Sequence, residues 1–247
     1  MAGRTYKTEA VVLRSLRFSE ADRILHLYTR DRGRVGAIAK GVRKTKSRFG
    51  ARLEPLSHVE LLLHEGSGEL QTVTGAELVR PHRAVREDPY RLGVGLIGAE
   101  AMLRLFAEPE PNRRAFEALT RFLDVLDVAQ QVEEVRASLD PLALSFQLKL
   151  LWLSGYLPHV TACVECGSTA ELSRFSPRAG GAVCRLHARG AFTVAAEGLA
   201  GIERLLSTPL ADAAAAGLGV RARRDALAVV TASYEEHGGF RLRTLSA

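Results

Sequence analysis

The hydrophobic pattern of this chain changes its period near Pro81, and that change limits the folds open to it. Upstream of Pro81, short runs rich in β-branched and aliphatic residues are separated by turns that contain glycine, which is typical of strands. The runs cover residues 10–16, 22–29, 34–39, 59–64 and 70–79. This regular spacing predicts a small all-β barrel, and about eighty residues is the size of an OB-fold. Strand count alone leaves the topology open.

Downstream of Pro81, apolar residues recur at the three- and four-residue spacing of helices. Helices are expected around residues 92–106, 116–126, 141–155, 196–206 and 225–237. The third can be capped by Asp140 and has Pro141 at its first position; being apolar nearly all round, it should be the centre of a bundle. The sequence therefore predicts an α+β multidomain protein, with a barrel domain at 1–80 and an all-α helical domain at 81–247.

The composition excludes several classes of protein. With 47% hydrophobic and 25% charged residues, the chain fits a soluble globular protein and neither a disordered nor a membrane class. Lys149 interrupts the longest apolar run, so none reaches the ~20 residues of a membrane span. Residues 1–7 lack the apolar stretch of a signal peptide, so we expect a cytoplasmic protein whose cysteines stay reduced.

The positive charge is concentrated in the first third of the chain. Residues 1–80 hold 15 Lys and Arg against 9 Asp and Glu, whereas residues 81–247 hold 19 of each, so the whole net charge of +6 lies in the predicted barrel. A basic head on a neutral body favours a polyanion as partner. The alternative is a basic surface that only keeps the protein in solution.

Two ligand pairs carry the strongest chemical signal. Cys163 and Cys166 are three positions apart, as are Cys184 and His187, and 17 residues separate the pairs. Such knuckles can close a tetrahedron around zinc, and they use every cysteine of the chain. Four protein ligands leave no open position for catalysis, so the site should be structural, stapling an insert at about 160–190. Chance placement of buried thiols is the alternative, and His159 is a weak spare ligand.

A dense run of cations follows the third predicted strand. Lys40, Arg43, Lys44, Lys46 and Arg48 lie in a predicted loop, and Arg34 lies in the strand before it. Mobile cations suit contacts to phosphate, which hold a nucleic acid without reading its sequence. The aromatic residues Phe49, Phe18 and Tyr28 could stack on bases. A solvated loop without a ligand is the alternative.

No catalytic motif was found in the sequence, so we expect a protein that is not an enzyme. Residues 93–98 match G-x-G-x-x-G, but no buried strand precedes them, and the glycines are better explained by close helix packing. The chain has neither a phosphate-binding P-loop motif nor the G-x-S-x-G and H-E-x-x-H motifs of hydrolases.

The basic run resembles that of the bacterial RecO family of DNA repair and recombination mediators. The resemblance is carried by AKGVRKTKSRFG at 39–50 with LEPL at 53–56, by TEAVVL at 8–13 with SEAD at 19–22, and by LWLSGYLP at 151–158. It implies an N-terminal OB-fold, a helical domain with a zinc insert, and a nucleoid-associated protein. It also implies binding of single- and double-stranded DNA, annealing of complementary strands, and recombinase loading with RecR onto strands coated by single-strand DNA-binding protein.

The resemblance can be carried over residue by residue. Lys40, Arg43, Lys44, Lys46 and Arg48 match the family's basic loop, and Cys163, Cys166 and Cys184 match its zinc ligands. His187 stands where many zinc-bearing relatives have cysteine, and imidazole is an equally suitable ligand.

Three other hypotheses remain open on the sequence alone. The barrel could bind RNA, since composition does not distinguish it from DNA. A zinc-dependent nucleic-acid enzyme would need an open metal site beside a carboxylate such as Glu165. An acidic protein tail could dock on Arg113, Arg114 or Arg121, although no motif selects among them.

Overall fold

The computed structural model describes residues 3–44, 46–47, 49–129 and 136–246. The chain divides into two compact units, residues 1–127 and 128–247, which are described separately. Among the described residues, no helix combines the length and the apolar character needed to cross a lipid bilayer.

The first unit is built on a five-stranded sheet. Its strands are β1 (Arg4–Phe18), β2 (Asp22–Thr29), β3 (Gly33–Ala39), β4 (His58–Glu65) and β5 (Gln71–Arg80). They are hydrogen-bonded in the order β1-β2-β3-β5-β4, and β1 also pairs with β4, which closes the sheet into a barrel. All pairs are antiparallel except β3 with β5. The predicted order, sheet first and helices afterwards, is confirmed.

The long strand β1 makes this closure possible. Its first half pairs with β4 and its second half with β2, and the register to β2 shifts between Val12 and Arg14. Such a bulge bends the strand, so that one strand can serve both neighbours. Alternate residues such as Ala10 and Val12 point into the core.

Three helices complete the first unit: α1 (Arg83–Glu87), α2 (Pro89–Leu105) and α3 (Arg113–Val128). The carboxylate of Asp88 accepts the N–H groups of Tyr90 and Arg91 and so caps α2. The G-x-G-x-x-G segment lies entirely within α2, and a methyl group at Gly95 would stand 2.7 Å from Leu56. The prediction that these glycines serve helix packing is therefore confirmed for Gly95.

The second unit is helical and carries a small sheet as an insert. Its helices are α4 (Pro141–Leu153), α5 (Ala196–Ser207), α6 (Val220–Ser233) and α7 (Arg243–Ser246), and the insert contains β6 (Arg174–Ser176), β7 (Gly181–Val183) and β8 (Phe192–Thr193). Helix α4 is buried along most of its length, as its apolar sequence predicts, and the Asp140 carboxylate caps it. The ammonium group of Lys149 donates to the carbonyls of Leu205, Leu206 and Thr208 at the end of α5.

The positions of the elements differ from the sequence predictions in several places. Strand β1 begins at Arg4, six residues before the predicted start at residue 10. Residues 83–87, which precede the first predicted helix, form α1; this short helix buries Val85, and the Val85 N–H donates to the carboxylate of Asp127. Helix α6 begins at Val220, five residues before the predicted start at Asp225. The predicted domain boundary between residues 80 and 81 coincides with the change from strands to helices; as a domain boundary it stays a prediction.

Candidate metal centre and nucleic-acid interface

Three cysteines and one histidine meet in the insert of the second unit. Their candidate ligand atoms, from Cys163, Cys166, Cys184 and His187, all lie within 4.8 Å of one another. The Sγ atoms of Cys166 and Cys184 are 3.9 Å apart, and His187 Nδ1 is 3.3 Å from Cys184 Sγ and 3.7 Å from Cys163 Sγ. Four ligands held about 2.0–2.3 Å from one zinc ion stand about 3.3–3.8 Å apart, so these residues fit a tetrahedral site.

Short hydrogen-bonded turns hold the ligands in place. In the first knuckle the Gly167 N–H donates to the Cys163 carbonyl, and the Cys163 N–H donates to the Ser168 carbonyl. Gly167 has a φ of +73°, a left-handed conformation that glycine adopts without a steric penalty. In the second knuckle the His187 N–H donates to the Cys184 carbonyl at 3.1 Å. His159 lies outside the ligand group.

The cluster already favours thiolates at two of its positions. Burial opposes the charged form of Cys163, yet hydrogen bonds from backbone N–H groups, that of Cys184 first, bring its pKa down to about 6. The hydrogen bond with His187 lowers the pKa of Cys184, and the same contact raises the pKa of His187. The Ser168 N–H favours the thiolate of Cys166, but the pKa of Cys166 is raised overall, because its hydrogen bond with Cys163 and its burial favour the neutral thiol. Thiolates are the form of cysteine that binds metals.

The basic loop between β3 and β4 is anchored at its start. The Gly41 N–H donates to the carboxylate of Asp22 at 2.7 Å, and the Arg43 N–H donates to the carbonyl of Ala21 at 2.9 Å. The Arg43 guanidinium also donates to the Glu20 carbonyl at 3.0 Å. These contacts hold the loop against the turn between β1 and β2.

The cations of this loop are exposed. Lys40, Arg43, Lys44 and Lys46 all have exposed side chains, and within the described part of the chain the three lysines make no ion pair. Arg34, in β3, is half-buried and donates to the Ala107 carbonyl at 3.4 Å. Arg48 lies outside the described residues. The lysine ammonium groups are thus available to a polyanion.

Two of the three aromatic residues proposed to stack on bases are instead buried. Phe49 is 1% exposed and fills the barrel core, because the loop turns inward there. Tyr28 packs edge-on against Phe106 at 5.9 Å, and burial raises its pKa to about 12. The stacking prediction was therefore wrong for Phe49 and Tyr28. Phe18, at the end of β1, is 47% exposed and remains a candidate.

A second group of candidate residues, which the sequence analysis missed, lies on the outer surface of β1, β2 and β3. Two rows of side chains run across the three strands, in the registers Arg14–His26–Gly36 and Leu16–Ile24–Ile38. We call these six residues, with Phe18 and Arg34, the open face. Leu16 and Phe18 are exposed, and the missing side chain at Gly36 leaves space that Leu70 fills, since an added methyl group would stand 2.9 Å from Leu70 Cδ2.

The sequence did indicate which side chains of each strand point outward, through the alternation of inward and outward residues along the strand. In β2 the residues Leu25 and Leu27 point into the barrel, so Ile24 and His26 must point outward. Finding the face required the pairing register across three strands, including the shift between Val12 and Arg14, which the sequence does not reveal.

His26 lies between two cations of the open face. Burial lowers its pKa, and the nearby charges of Arg34 and Arg14 lower it further. The neutral imidazole is therefore favoured while no anion lies on this surface. An anion bound here would weaken that preference, because it would offset the two guanidinium charges.

The outer surface of β1, β4 and β5 has the opposite charge. Glu9, Glu60 and Glu77 stand in register across these strands, and Lys7 pairs with Glu60 at 2.6 Å. We call these three glutamates the acidic row. Glu9 also pairs with Arg30 at 3.2 Å. The barrel thus presents exposed cations on one side and, on the other, a row of glutamates of which two are paired with cations.

Family models match nearly the whole chain. "Recombination protein O N terminal" covers residues 1–82 and "Recombination protein O C terminal" covers residues 86–246. A protein of Rubrobacter xylanophilus named "DNA repair protein RecO" is 43% identical over 215 residues, covering 85% of this chain and 84% of the relative. Proteins of the same name from Anaeromyxobacter sp. (strain K) and Nocardioides sp. are 35% identical over 96% of this chain and 41% identical over 72% of it, and these matches span 92% and 72% of the relatives.

Proposed function

Because the chain belongs to the recombination protein O family, whose members carry the name DNA repair protein RecO, we propose that it is a non-catalytic mediator of DNA repair and recombination. It binds single- and double-stranded DNA, anneals complementary strands in the cytoplasm, and assists recombinase loading together with RecR and the single-strand DNA-binding protein. The barrel acts as an OB-fold in this proposal, since the outer surface around strands β2 and β3 is where such folds bind oligonucleotides.

The observation that carries the proposal is the position of three exposed lysines and two arginines. Lys40, Lys44 and Lys46 extend from a loop anchored beside the β1–β2 turn, and Arg14 and Arg34 lie on the open face. Arg48, which lies outside the described residues, is included in the proposed DNA-binding loop because it belongs to the same basic run of the sequence. The acidic row on the other side of the barrel repels phosphate, so a strand is guided to the basic surface.

Annealing follows from the kind of contact these residues make. Two complementary strands repel each other through their phosphates, and cations that neutralise both backbones lower that barrier. Lysine and arginine on the backbone leave the base edges free to pair. The exposed apolar row of the open face, with Phe18, supplies a surface on which unpaired bases can rest.

In this proposal zinc has a structural role, which is to stabilise the insert. Cys163, Cys166, Cys184 and His187 would hold the ion. Zinc bound there would supply folding free energy, about 10–16 kcal/mol in small zinc modules, to an insert with few large apolar residues. The four side chains would hold the two knuckles at a fixed separation. Four protein ligands would leave no position for a metal-bound water, so Glu165 would have no such water to deprotonate.

The test is a comparison of strand annealing and single-strand binding over a range of salt concentrations. Changing Lys40, Arg43, Lys44 and Lys46 together to Ala should abolish most annealing. It should also make the slope of log affinity against log salt shallower by roughly 2.8, since each contact to a single strand contributes about 0.7. The matched control changes Arg80, Arg83, Arg114 and Arg121, which are also exposed, to Ala.

Retained annealing by the loop variant would refute the proposed DNA site, and equal losses in both variants would reduce it to an effect of net charge. The same titration with RNA of identical sequence tests the alternative ligand. Tighter binding of RNA than of DNA would replace the proposal by RNA binding.

A further inference from the structure

The second knuckle carries a leucine with almost no protein contact. Leu186 is 90% exposed and sits between Arg185 and Arg189, whose side chains are also exposed. The residues follow Cys184 in a short 3-10 turn, Arg185–His187. We call residues 185–189 the knuckle tip. An aliphatic side chain in this position exposes apolar surface to water and is available to a ligand that would bury it.

The first knuckle shows that this exposure is not imposed by the ligand spacing. In Cys163–Cys166 the two intervening positions hold Val164, which packs with the cysteines, and Glu165, which is exposed. In the second knuckle the same two positions hold Arg185 and Leu186. The outward position accepts a charged residue in one knuckle and carries a leucine in the other, so the leucine is a feature of this turn.

The charges around the leucine are uncompensated. No acidic residue occurs between Cys184 and Gly190. Within the described residues, neither Arg185 nor Arg189 makes an ion pair or a side-chain hydrogen bond. Three other arginines of the same unit are engaged: Arg204 and Arg223 donate to carbonyls, and Arg241 pairs with Glu235. Two free guanidinium groups therefore flank one free aliphatic side chain.

We propose that the knuckle tip is a second nucleic-acid contact, which binds duplex DNA with Leu186 in the minor groove and Arg185 and Arg189 on the flanking phosphates. Small apolar wedges beside cations are used in this way by proteins that bind the minor groove. The site rests on the proposed function. It adds a duplex contact to the single-strand surface of the barrel and suits a protein that must hold the product of annealing.

The chemistry of the tip favours a nucleic acid over a protein partner. A stable protein interface buries about 800 Å² on each partner and is centred on a cluster of apolar anchors, whereas the tip offers one leucine. A duplex needs only one side chain in its groove and cations at the spacing of its backbone. The unbalanced positive charge of the tip matches a polyanion.

The experiment uses the full-length, zinc-containing protein and two probes, a duplex with the fluorescent base aminopurine at a central step and a single strand of the same sequence. Arg185→Ala with Arg189→Ala should make the salt slope for the duplex shallower by about 1.8, and so weaken binding tenfold or more at low salt. Leu186→Ala should leave that slope unchanged and abolish the fluorescence change caused by unstacking. Single-strand affinity should stay at the wild-type value in both variants.

Matched controls separate the tip from general charge and from misfolding. Val220→Ala with Arg221→Ala and Arg224→Ala removes another exposed apolar side chain and its neighbouring arginines, and it should leave duplex binding unchanged. Arg185→Lys with Arg189→Lys keeps the charges and should restore the salt slope. Zinc content is measured for every variant, and if the alanine pair loses zinc it is replaced by Arg185→Gln with Arg189→Gln, which removes the same two charges from side chains of similar length.

Duplex binding at the wild-type level in all tip variants would overturn the inference, and it is the outcome expected if the tip bound a protein instead. If duplex binding were unchanged in the tip variants, the proposed function would still be supported by loss of single-strand binding when the four basic-loop residues Lys40, Arg43, Lys44 and Lys46 are changed to Ala. Wild-type protein that bound neither probe would refute both.

Discussion

At the scale of single residues, we expect His26 to couple the proposed DNA binding to pH. Its pKa in the free protein lies below the usual value, because it is partly buried and because Arg34 and Arg14 repel its proton. A phosphate chain on the open face would offset those charges and raise the pKa of His26 in the complex. Binding therefore takes up a proton, and affinity must rise as pH falls through the interval between the two pKa values.

We expect single-strand affinity at constant salt to increase by roughly three- to tenfold between pH 7.5 and pH 5.5. The measurement is a fluorescence titration at several pH values. His26→Gln should remove most of this dependence while retaining binding at pH 7.5. Circular dichroism at each pH guards against unfolding, because a histidine with a lowered pKa also reduces stability as pH falls below about 6.5. Equal pH profiles for the variant and the wild type would contradict the prediction.

At the scale of the elements, a glycine sets the distance between α5 and α6. Helix α5 has no capping side chain of its own, and Asp225 of α6 accepts the Ala195 N–H at 3.0 Å in its place. The two helices can approach this closely because residue 198 lacks a side chain. A methyl group there would stand 2.5 Å from Asp225 Oδ2.

Gly198→Ala should lower the free energy of unfolding by about 2 kcal/mol, because overpacking and loss of the cap outweigh the gain of about 1 kcal/mol in helix propensity. Urea unfolding gives the value. Asp225→Ala creates room for the methyl group, so the double variant should lose less than the sum of the two single changes. Strict additivity would show that the two residues do not compete for the same space.

The insert depends on its four ligands as a unit. Atomic emission should find about one zinc ion per chain in protein purified without chelator. His187→Ala should lose the metal and make residues 160–190 susceptible to proteases, because the sheet of β6, β7 and β8 is too small to be stable by itself. His187→Cys should retain zinc, and His159→Ala, which removes a histidine outside the ligand group, should behave as wild type. Zinc retained by His187→Ala would exclude His187 as a ligand.

At the scale of the whole molecule, local patterns predicted the elements and the ligand spacing, but not the surfaces. Alternation and helical periodicity located the five strands and most helices, and the knuckle spacing brought Cys163 and His187 to one cluster. The open face was missed because Arg14, His26 and Gly36 become neighbours only through strand pairing. Phe49 was misjudged because the basic run around it conceals that this residue fills the barrel.

The charge asymmetry of the barrel gives the last prediction, which concerns the side that DNA contacts. Changing Arg14 and Arg34 to Glu inverts the sign of the open face while the basic loop remains intact. Single-strand affinity should fall by a hundredfold or more, on the order of 3 kcal/mol, because two attractive phosphate contacts become repulsive. Changing Glu60 and Glu77 to Lys alters the net charge by the same amount in the opposite direction, on the acidic row.

If DNA binds only to the open face, the variant with Glu60 and Glu77 changed to Lys should gain little affinity at moderate salt. Its added cations lie across the barrel, and charges are screened beyond about 10 Å. Competition titrations with one oligonucleotide at two salt concentrations compare both variants with wild type. Equal and opposite changes in the two variants would mean that net charge alone governs binding. A large loss limited to the Arg14 and Arg34 variant would mean that the strand lies across β1, β2 and β3, where the register brings Arg14 and His26 together.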